Sequence, residues 1–257
     1  MPTLDWNATT WNRDYDWSSA GEEWSQVWGG SESQWFGSIF SRLGRYLPVP
    51  TILEIAPGYG RWTRFLLQHC DRFIGIDLSE SCVGFCRKRF SDHPRAEFYV
   101  NDGKSLSAAA DGTVDLVFSF DSLVHAEDDI LAAYVAQIAR KLTPNGLGFL
   151  HHSNLGACAP WTGNPHQRAK SMTADKFAGF CSSAALACIS QELVNWGQNE
   201  LIDCISVFTG AESQWARPLR RLENSRFMLE AELLSATSSL YHAPPGALPA
   251  ATRDAPR

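Results

Sequence analysis

The sequence predicts an α/β fold in which a doubly wound, mostly parallel sheet of seven strands ends in an antiparallel hairpin. Five short apolar runs alternate with helical segments, and parallel strands need such a helix to return the chain to the same edge. The first run, TILEIA at 51–56, shows no polar alternation, which is typical of a strand covered on both faces. With 257 residues, of which 44% are hydrophobic, the chain is long enough to bury a large core.

The N-terminal segment, residues 1–47, is rich in tryptophan, since six of the ten indoles precede residue 36. Residues 32–46 carry apolar side chains at helical spacing, and Pro48 ends that helix. We interpret the segment as an aromatic-rich helical lid. Trp35 and Phe36 either pack against the sheet or cover a bound ligand, and the sequence leaves both interpretations open.

The predicted core domain, residues 48–210, contains the alternating elements. Its five parallel strands are expected at 51–56, 72–79, 96–102, 114–122 and 146–154, with helices near 64–70, 79–90, 128–142 and 173–184. Two further β-like runs, at 186–196 and 201–209, are expected to form the hairpin. Residues 211–242 are predicted to form a C-terminal helix, and the Pro- and Ala-rich stretch 243–257 a disordered tail.

A glycine-containing turn at 56–60, Ala-Pro-Gly-Tyr-Gly, separates the first strand from the next helix. Glycines let the backbone turn sharply and let a ligand approach without meeting a Cβ atom. Topology alone places a nucleotide-type ligand at this carboxyl edge of the sheet. A purely structural turn would look the same, so the turn by itself is a weak signal.

Aspartates follow three successive strands at the same edge: Asp77, Asp102 and Asp121. A carboxylate at Asp77 can accept hydrogen bonds from both hydroxyls of an adenosine ribose, and one at Asp102 from the adenine amine. A single strand-end aspartate is often only a helix cap. Three of them beside a glycine turn indicate a binding site.

The kind of nucleotide follows from Thr63 and Glu54. A dinucleotide site has a third glycine where this chain has Thr63, and no Lys-Ser/Thr pair follows the turn as it does in a P-loop. Glu54, which precedes the turn, would repel a diphosphate and suits a ligand with a cationic amine. S-adenosylmethionine (SAM) carries both an amine and a sulfonium.

The runs ILEIAPGYGRWT, GIDLS, NDG and VDLVFSFDSLVH resemble motifs of the class I SAM-dependent methyltransferases. The likeness covers about residues 32–210 and implies a Rossmann-like methyltransferase fold with SAM as cofactor. Ala56 departs from the family pattern, which has glycine there. The phrase APGxGRWT, with QWF upstream and FLHHSN downstream, is similar to bacterial methyltransferases that act on sugars and polysaccharide ends.

This resemblance implies the cofactor contacts residue by residue. Glu54, Gly58 and Gly60 would hold the methionine part, Asp77 the ribose, and Asp102 with Gly103 the adenine, while Phe120 and Asp121 would flank the cofactor and face the acceptor. The remaining candidate contacts are Trp35, Ala56, Arg61 and Leu78. Arg61 either pairs with the methionine carboxylate or is solvated.

A hydroxyl acceptor must lose its proton during methyl transfer, so a base is needed near the cofactor. The candidates are His125, after the fourth strand, and His151 or His152, at the end of the fifth. Because adjacent strand residues face opposite sides, we expect His152 to look into the cleft and His151 to pack within the sheet. Asp121 would orient a histidine or bind the acceptor. A cation such as Mg²⁺, held by Asp121 with His125 or His152, is a further option without diagnostic ligand spacing.

The leading interpretation is a SAM-dependent methyltransferase acting on a hydroxyl of a small acceptor, which is a sugar or saccharide by the narrower likeness. One alternative is N- or C-methylation of a small natural product. Another is a non-catalytic SAM-binding partner protein. An NAD-dependent oxidoreductase is disfavoured by the missing third glycine.

Charge and composition restrict the expected partners. The formal net charge of −6 argues against nucleic acid, whose phosphates demand a cationic face. No apolar run approaches the ~20 residues of a membrane helix, so no membrane is expected. The N-terminus lacks a signal-like pattern, so we expect a cytoplasmic protein with reduced cysteines. A homo-oligomer is left open.

Overall fold

The computed structural model describes residues 2–158, 167–197 and 199–241. Eight strands lie in these ranges: β1 (Val49–Ile55), β2 (Cys70–Asp77), β3 (Ala96–Val100), β4 (Val114–Ser119), β5 (Leu142–Ser153), β6 (Leu186–Val194), β7 (Asp203–Gly210) and β8 (Arg220–Asn224). They form one sheet in the order β3-β2-β1-β4-β5-β7-β6-β8. The strands from β3 to β5 are parallel, whereas β7 runs antiparallel to both β5 and β6. The predicted fold class is therefore confirmed, with eight strands instead of seven.

The α-helices of the described residues are α1 (Leu4–Thr9), α2 (Ser31–Gln34), α3 (Phe40–Leu43), α4 (Thr63–Leu66), α5 (Glu80–Arg89), α6 (Asp128–Lys141), α7 (Ala174–Ser183) and α8 (Phe227–Tyr241). Shorter 3₁₀ or π turns extend several of them, and a π turn at Trp35–Ile39 joins α2 to α3. Side-chain caps fix three of the starts, because Thr3 accepts from the backbone of Trp6, Ser79 from that of Cys82 and Thr173 from that of Lys176. No helix within these ranges is both long and apolar enough to cross a bilayer.

Neighbouring side chains in each central strand enter different cores. Ile52 faces a cluster that contains Trp28 and Phe227, whereas Leu53 faces a cluster that contains Leu131 of α6. All five side chains are at most 1% exposed. The absence of polar alternation in β1 follows from this double coverage.

The N-terminal helices share the core of the sheet. Trp28 and Leu43 belong to the same buried cluster as Ile52 of β1, so the predicted boundary at residue 47 does not separate an independent lid. Only a shorter part of the segment, between Leu4 and Trp24, reaches the cavity described below. Removing residues 1–30 would therefore also remove a core tryptophan.

The predicted C-terminal helix over 211–242 is wrong in its first part. Residues 220–224 form strand β8, which pairs in parallel with β6. Arg221 is held there by Gln191 at 2.7 Å and by Asp175 at 2.6 Å, so tertiary contacts override its helix propensity. The predicted tail at 243–257 lies outside the described residues.

Candidate active site

A cavity that is partly open to solvent lies at the carboxyl ends of β1, β2 and β4. The turn after β1 and Asp77 at the end of β2 form its floor. The cover comes from the N-terminal segment, through the side chains of Leu4, Asn7, Trp11, Trp17 and Trp24. The position is the one expected for a ligand of an open α/β sheet.

Positive φ angles shape the turn after β1. Gly58 has φ +58°, and its N–H donates to Oδ2 of Asp77 at 3.0 Å. Ala56 has φ +57°, a conformation that carries strain for a residue with a Cβ atom. Ala56 thus holds, at a cost in conformational energy, a left-handed backbone conformation that glycine would adopt freely.

The Asp77 carboxylate faces the cavity with spare acceptor capacity. Its Oδ1 accepts from the N–H of Ser79 at 2.9 Å and its Oδ2 from that of Gly58. Each carboxylate oxygen has two lone pairs, so one acceptor site per oxygen is left for a diol. Burial raises the pKa of Asp77 to about 6, against the effect of the Ser79 and Gly58 N–H groups, so the group is ionised at neutral pH. These residues fit the ribose of SAM.

Nine of the predicted site residues line this one cavity: Ala56, Gly58, Arg61, Asp77, Leu78, Gly103, Phe120, Asp121 and His125. They come from the ends of β1, β2 and β4 and from the loop after β3. These residues lie together because parallel strands present their carboxyl ends at the same edge of the sheet.

Three other predicted cofactor contacts lie elsewhere. Trp35 is fully buried in the core, stacked on Phe65 at 5.1 Å between ring centroids. Gly60 has φ +80° and packs so closely on Phe90 that a Cβ atom would lie 2.5 Å from its ring. Asp102 is exposed and accepts from the backbone of the turn that follows it. These residues therefore shape the protein around the cavity instead of lining it.

Glu54 is also absent from the cavity wall. Its side chain is 1% exposed and accepts from the Thr63 hydroxyl at 2.5 Å. Burial raises the pKa of Glu54 to about 8, against the hydrogen bond from Thr63. The predicted contact between Glu54 and a cationic amine is corrected accordingly, because the carboxyl group points into the helix that follows the turn.

Replacing Glu54 by glutamine should flatten the dependence of stability on pH. The folded carboxyl keeps its proton up to about pH 8, whereas the unfolded chain releases it near pH 4. The free energy of unfolding therefore falls as pH rises between these values, and Glu54→Gln should remove about 1–3 kcal/mol of that fall. Urea unfolding at pH 5 and pH 8 measures it. Glu97→Gln is the control, because Arg72 lowers the pKa of that carboxyl, and equal slopes in wild type and Glu54→Gln would contradict the argument.

His125 lines the cavity beside the covering indoles. Its ring centroid lies 5.4 Å from that of Trp11, and its Nδ1 lies 2.9 Å from the carbonyl oxygen of Gln167. A carbonyl only accepts, so this bond assigns the proton to Nδ1 and leaves Nε2 as an acceptor in the neutral ring. Burial and the Arg168 charge lower the pKa of His125 to about 4. His125 is therefore neutral at physiological pH.

The expectation that His152, and not His151, looks toward the cleft is wrong. His152 is fully buried on the opposite face, where it stacks on Phe177 at 4.3 Å and bonds to Ser206 at 2.9 Å. His151 instead lies 4.6 Å from the ring of Phe120 and 3.3 Å from the carboxylate of Asp121. The alternation of the strand was correct, but the choice of face depends on the neighbouring elements.

The proposed metal set of Asp121 with His125 or His152 is not supported. Oδ2 of Asp121 accepts from the Arg61 guanidinium at 2.6 Å, and the ring nitrogens of His152 already have partners inside the protein. Within the described ranges, no group of three or more His, Cys, Asp or Glu side chains is arranged to hold a metal ion. Arg61 is likewise not solvated, since it is 5% exposed.

The individual contacts through which the N-terminal segment covers the cavity were not predicted from the sequence. Trp17 stacks on Tyr59 at 4.6 Å with the rings 8° apart, and it lies over Gly58. Asn7 donates to the carbonyl of His125 at 3.1 Å, and Leu4 packs on Gly103. The high tryptophan content of the segment was the only sign in the sequence that it covers a site. The segment has no periodicity from which the residues that each indole contacts could be predicted.

Comparison with known proteins places these features in a family context. A family model described as a methyltransferase domain matches residues 52–146. Ribosomal RNA small subunit methyltransferase A of Coxiella burnetii is 23% identical over 108 residues, which are 36% of this chain and 42% of that protein. A probable S-adenosylmethionine-dependent methyltransferase of Mycolicibacterium smegmatis is 26% identical over 137 residues, 52% of this chain and 51% of that protein. The chain thus spans about half or less of these two relatives.

A solved structure shows the same fold. The PH0226 protein from Pyrococcus horikoshii superimposes with a TM-score of 0.56 at 20% identity, covering 79% of this chain and 95% of that one. The matched residues 52–146 include the turn after β1, Asp77 and Asp121, which line the cavity. Residues 52–146 therefore match a methyltransferase domain, and the sheet in which they lie has a Rossmann-like fold.

Proposed function

We propose that this protein transfers the methyl group of SAM to a hydroxyl group of a small acceptor, and that the acceptor is a saccharide. One observation carries the proposal: an ionised strand-end aspartate, Asp77, and a neutral histidine, His125, line the same cavity, which tryptophan side chains cover. The first suits an adenosine ribose. The second suits the removal of a proton from a hydroxyl.

The floor of the cavity provides the groups that would hold the cofactor. Asp77 would accept from the ribose hydroxyls, and the backbone at Gly58 and Gly103 allows close approach. Arg61 has guanidinium N–H groups beyond those that bind Ser25 and Asp121, and these would meet the methionine carboxylate. Bound SAM supplies a methyl group that its sulfonium has already activated for in-line attack.

The covering indoles favour a saccharide as the acceptor. Trp11, Trp17 and Trp24 line the cavity beside His125. Aromatic faces pack well on the C–H faces of sugar rings, and a closed cover excludes water from the reaction. The Coxiella relative is named for ribosomal RNA, but the net charge of −6 gives this chain no general attraction for phosphates.

His125 would act as the base for a hydroxyl acceptor. Because its Nδ1 proton is bound by the Gln167 carbonyl, Nε2 is the atom that would take the acceptor's proton. His125→Gln should lower kcat by about 100-fold or more, with affinity for S-adenosylhomocysteine retained within a few-fold. Since the pKa of His125 is about 4, wild-type kcat/KM should rise as pH increases through 4. Above that range, His125 should cause no further change in kcat/KM.

The control for this variant is His93→Gln, which replaces an exposed histidine outside the cavity. Retained kcat in His125→Gln would contradict the hydroxyl acceptor and favour N-methylation of a small amine, because an amine attacks without a base. Binding of S-adenosylhomocysteine together with no transfer to any acceptor would favour the non-catalytic SAM-binding partner instead.

A two-part experiment tests the proposal as a whole. Isothermal titration with S-adenosylhomocysteine measures cofactor binding, and transfer of a tritiated methyl group from SAM is screened over mono- and oligosaccharides, small amines and RNA, with and without EDTA. Transfer to a saccharide that survives EDTA is the expected result. No binding of S-adenosylhomocysteine, or transfer to RNA alone, would contradict it.

A further inference from the structure

A chain of five ionisable side chains runs from the cavity wall into the protein interior. It consists of Arg61, Asp121, His151, Asp203 and Arg168, and we call it the buried charge chain. The successive contacts are Arg61 to Asp121 at 2.6 Å, Asp121 to His151 at 3.3 Å, His151 to Asp203 at 3.2 Å and Asp203 to Arg168 at 2.7 Å. No member has a side chain more than 7% exposed, and His151 and Asp203 are fully buried.

His151 is the central link, and its protonation decides which contacts form. Its Nδ1 lies 3.2 Å from the backbone nitrogen of Asp121 and 3.3 Å from Oδ1 of the same residue. A neutral ring with a bare Nδ1 accepts from that N–H and leaves the buried Oδ1 without a donor. An imidazolium gives up that N–H bond and places a positive charge 3.3 Å from Oδ1 of Asp121 and 3.2 Å from Oδ2 of Asp203.

The second arrangement places a cation between two buried carboxylates, at the cost of the hydrogen bond from the Asp121 N–H. Within the buried charge chain, two buried atoms have no hydrogen-bond partner among the described residues. They are Oδ1 of Asp121 and Nε2 of His151. A carboxylate is costly to keep ionised away from water unless a cation lies beside it. The positions of the two carboxylates therefore favour an imidazolium between them.

We infer that His151, as an imidazolium between Asp121 and Asp203, is a positioning residue that fixes the Asp121 carboxylate and, through it, the Arg61 guanidinium at the cavity wall. This role rests on the proposed function, in which Arg61 meets the cofactor. Arg61 also donates to Ser25 at 2.9 Å and lies over the rings of Trp24 and Trp62, so the same link ties the covering segment to the sheet.

The surroundings of His151 set the direction of its pH dependence. Asp121 faces it from the end of β4 and Asp203 from β7, with Arg168 behind Asp203. Its neighbour His152 is neutral, because burial lowers the pKa of His152 to about 4, and uncharged Phe120 and Trp196 pack on the ring. Burial opposes protonation, but the two carboxylates outweigh it and raise the pKa of His151.

The sign of the effect follows from this raised pKa. The imidazolium link is complete at low pH and is lost as pH rises through the folded-state pKa of His151. Affinity for S-adenosylhomocysteine should therefore decline on the alkaline side in wild type. In His151→Gln, which cannot carry the charge, binding should be about tenfold weaker near neutral pH and should lack this decline.

The first test needs no ligand. In full-length protein labelled with ¹⁵N in its histidine rings, the His151 signals are assigned through contacts to Phe120 and Trp196 and followed against pH. The expected result is an imidazolium at pH 7, with both nitrogens protonated, and a lower titration midpoint in Asp203→Asn. A neutral His151 ring at pH 7 would overturn the inference.

The second test is the pH profile of S-adenosylhomocysteine binding in wild type, His151→Gln and the matched control His152→Gln. The control replaces an equally buried histidine on the other face of β5, and it should keep the wild-type pH profile. Binding by His151→Gln that declines with pH as wild type does would overturn the positioning role while the proposed function stands. Failure of wild type to bind at all would instead count against the proposed function, and the ring titration would still decide the charge on His151.

Discussion

Replacing Asp77 by asparagine is expected to weaken the binding of S-adenosylhomocysteine by on the order of 10- to 100-fold, because charge-assisted hydrogen bonds to the ribose are lost. The carboxylate is 5% exposed and retains one acceptor site on each oxygen after its bonds to Gly58 and Ser79. Asparagine has the same shape but only one acceptor oxygen, so it cannot serve both backbone donors and a diol. Isothermal titration measures the loss directly.

The matched control is Asp102→Asn. Asp102 also follows a strand at the same edge of the sheet, but it is exposed and bonds to the turn at Lys104 and Ser105. Its replacement should leave the affinity within about twofold, in line with a surface change. Circular dichroism confirms that each variant is folded. Wild-type affinity in Asp77→Asn would remove the assignment of the ribose site, and a large loss in Asp102→Asn would restore the original adenine assignment.

Replacing Trp35 by alanine is expected to lower the free energy of unfolding by about 3–5 kcal/mol, which makes it the most destabilising change considered. The indole is fully buried, stacked on Phe65 with the rings 6° apart and packed edge-on against Phe118 of the sheet. Its removal leaves a large hole between the N-terminal helices and the sheet. Urea unfolding followed by far-ultraviolet circular dichroism gives the measurement, since the signal does not depend on the missing indole.

Phe36→Ala is the control for this prediction. Phe36 is adjacent in sequence but 54% exposed, so its loss should cost less than about 1 kcal/mol. In the folded fraction of Trp35→Ala, the affinity for S-adenosylhomocysteine should be near that of wild type, because Trp35 does not line the cavity. A variant with unchanged stability and lost binding would reverse the assignment of Trp35 from core to lid.

The sheet was predictable because its signals are local. Each central strand is an apolar run, and each turn after it carries glycine or aspartate, as at Gly58 and Asp77. Strand β8 was not predictable from such signals. Its sequence, RRLEN, has no strand character of its own, and it pairs at the edge because β6 offers free backbone groups there.

The errors at the site have a common origin in side-chain direction. Glu54, Trp35 and His152 each carry a plausible chemical group at a plausible position, yet all three are turned into the protein. Glu54 bonds to Thr63 nine residues later, and His152 bonds to Ser206 on a strand 54 residues away. A local pattern contains no information about such partners.

By itself the sequence predicted the fold class, with its parallel central strands and antiparallel hairpin, and it is the source of the proposed ligand edge and cofactor, since periodicity, strand-end aspartates and a glycine turn all act over a few residues. Only the tertiary structure decided that tryptophans of the N-terminal segment cover the cavity and that His151, not His152, meets Asp121. The physical reason is that the two faces of a doubly covered strand are equally apolar. The face of β5 that meets a charged group is therefore set by elements distant in sequence. Asp203 of β7, which contacts His151, is such a group, and no local sequence pattern predicts that contact.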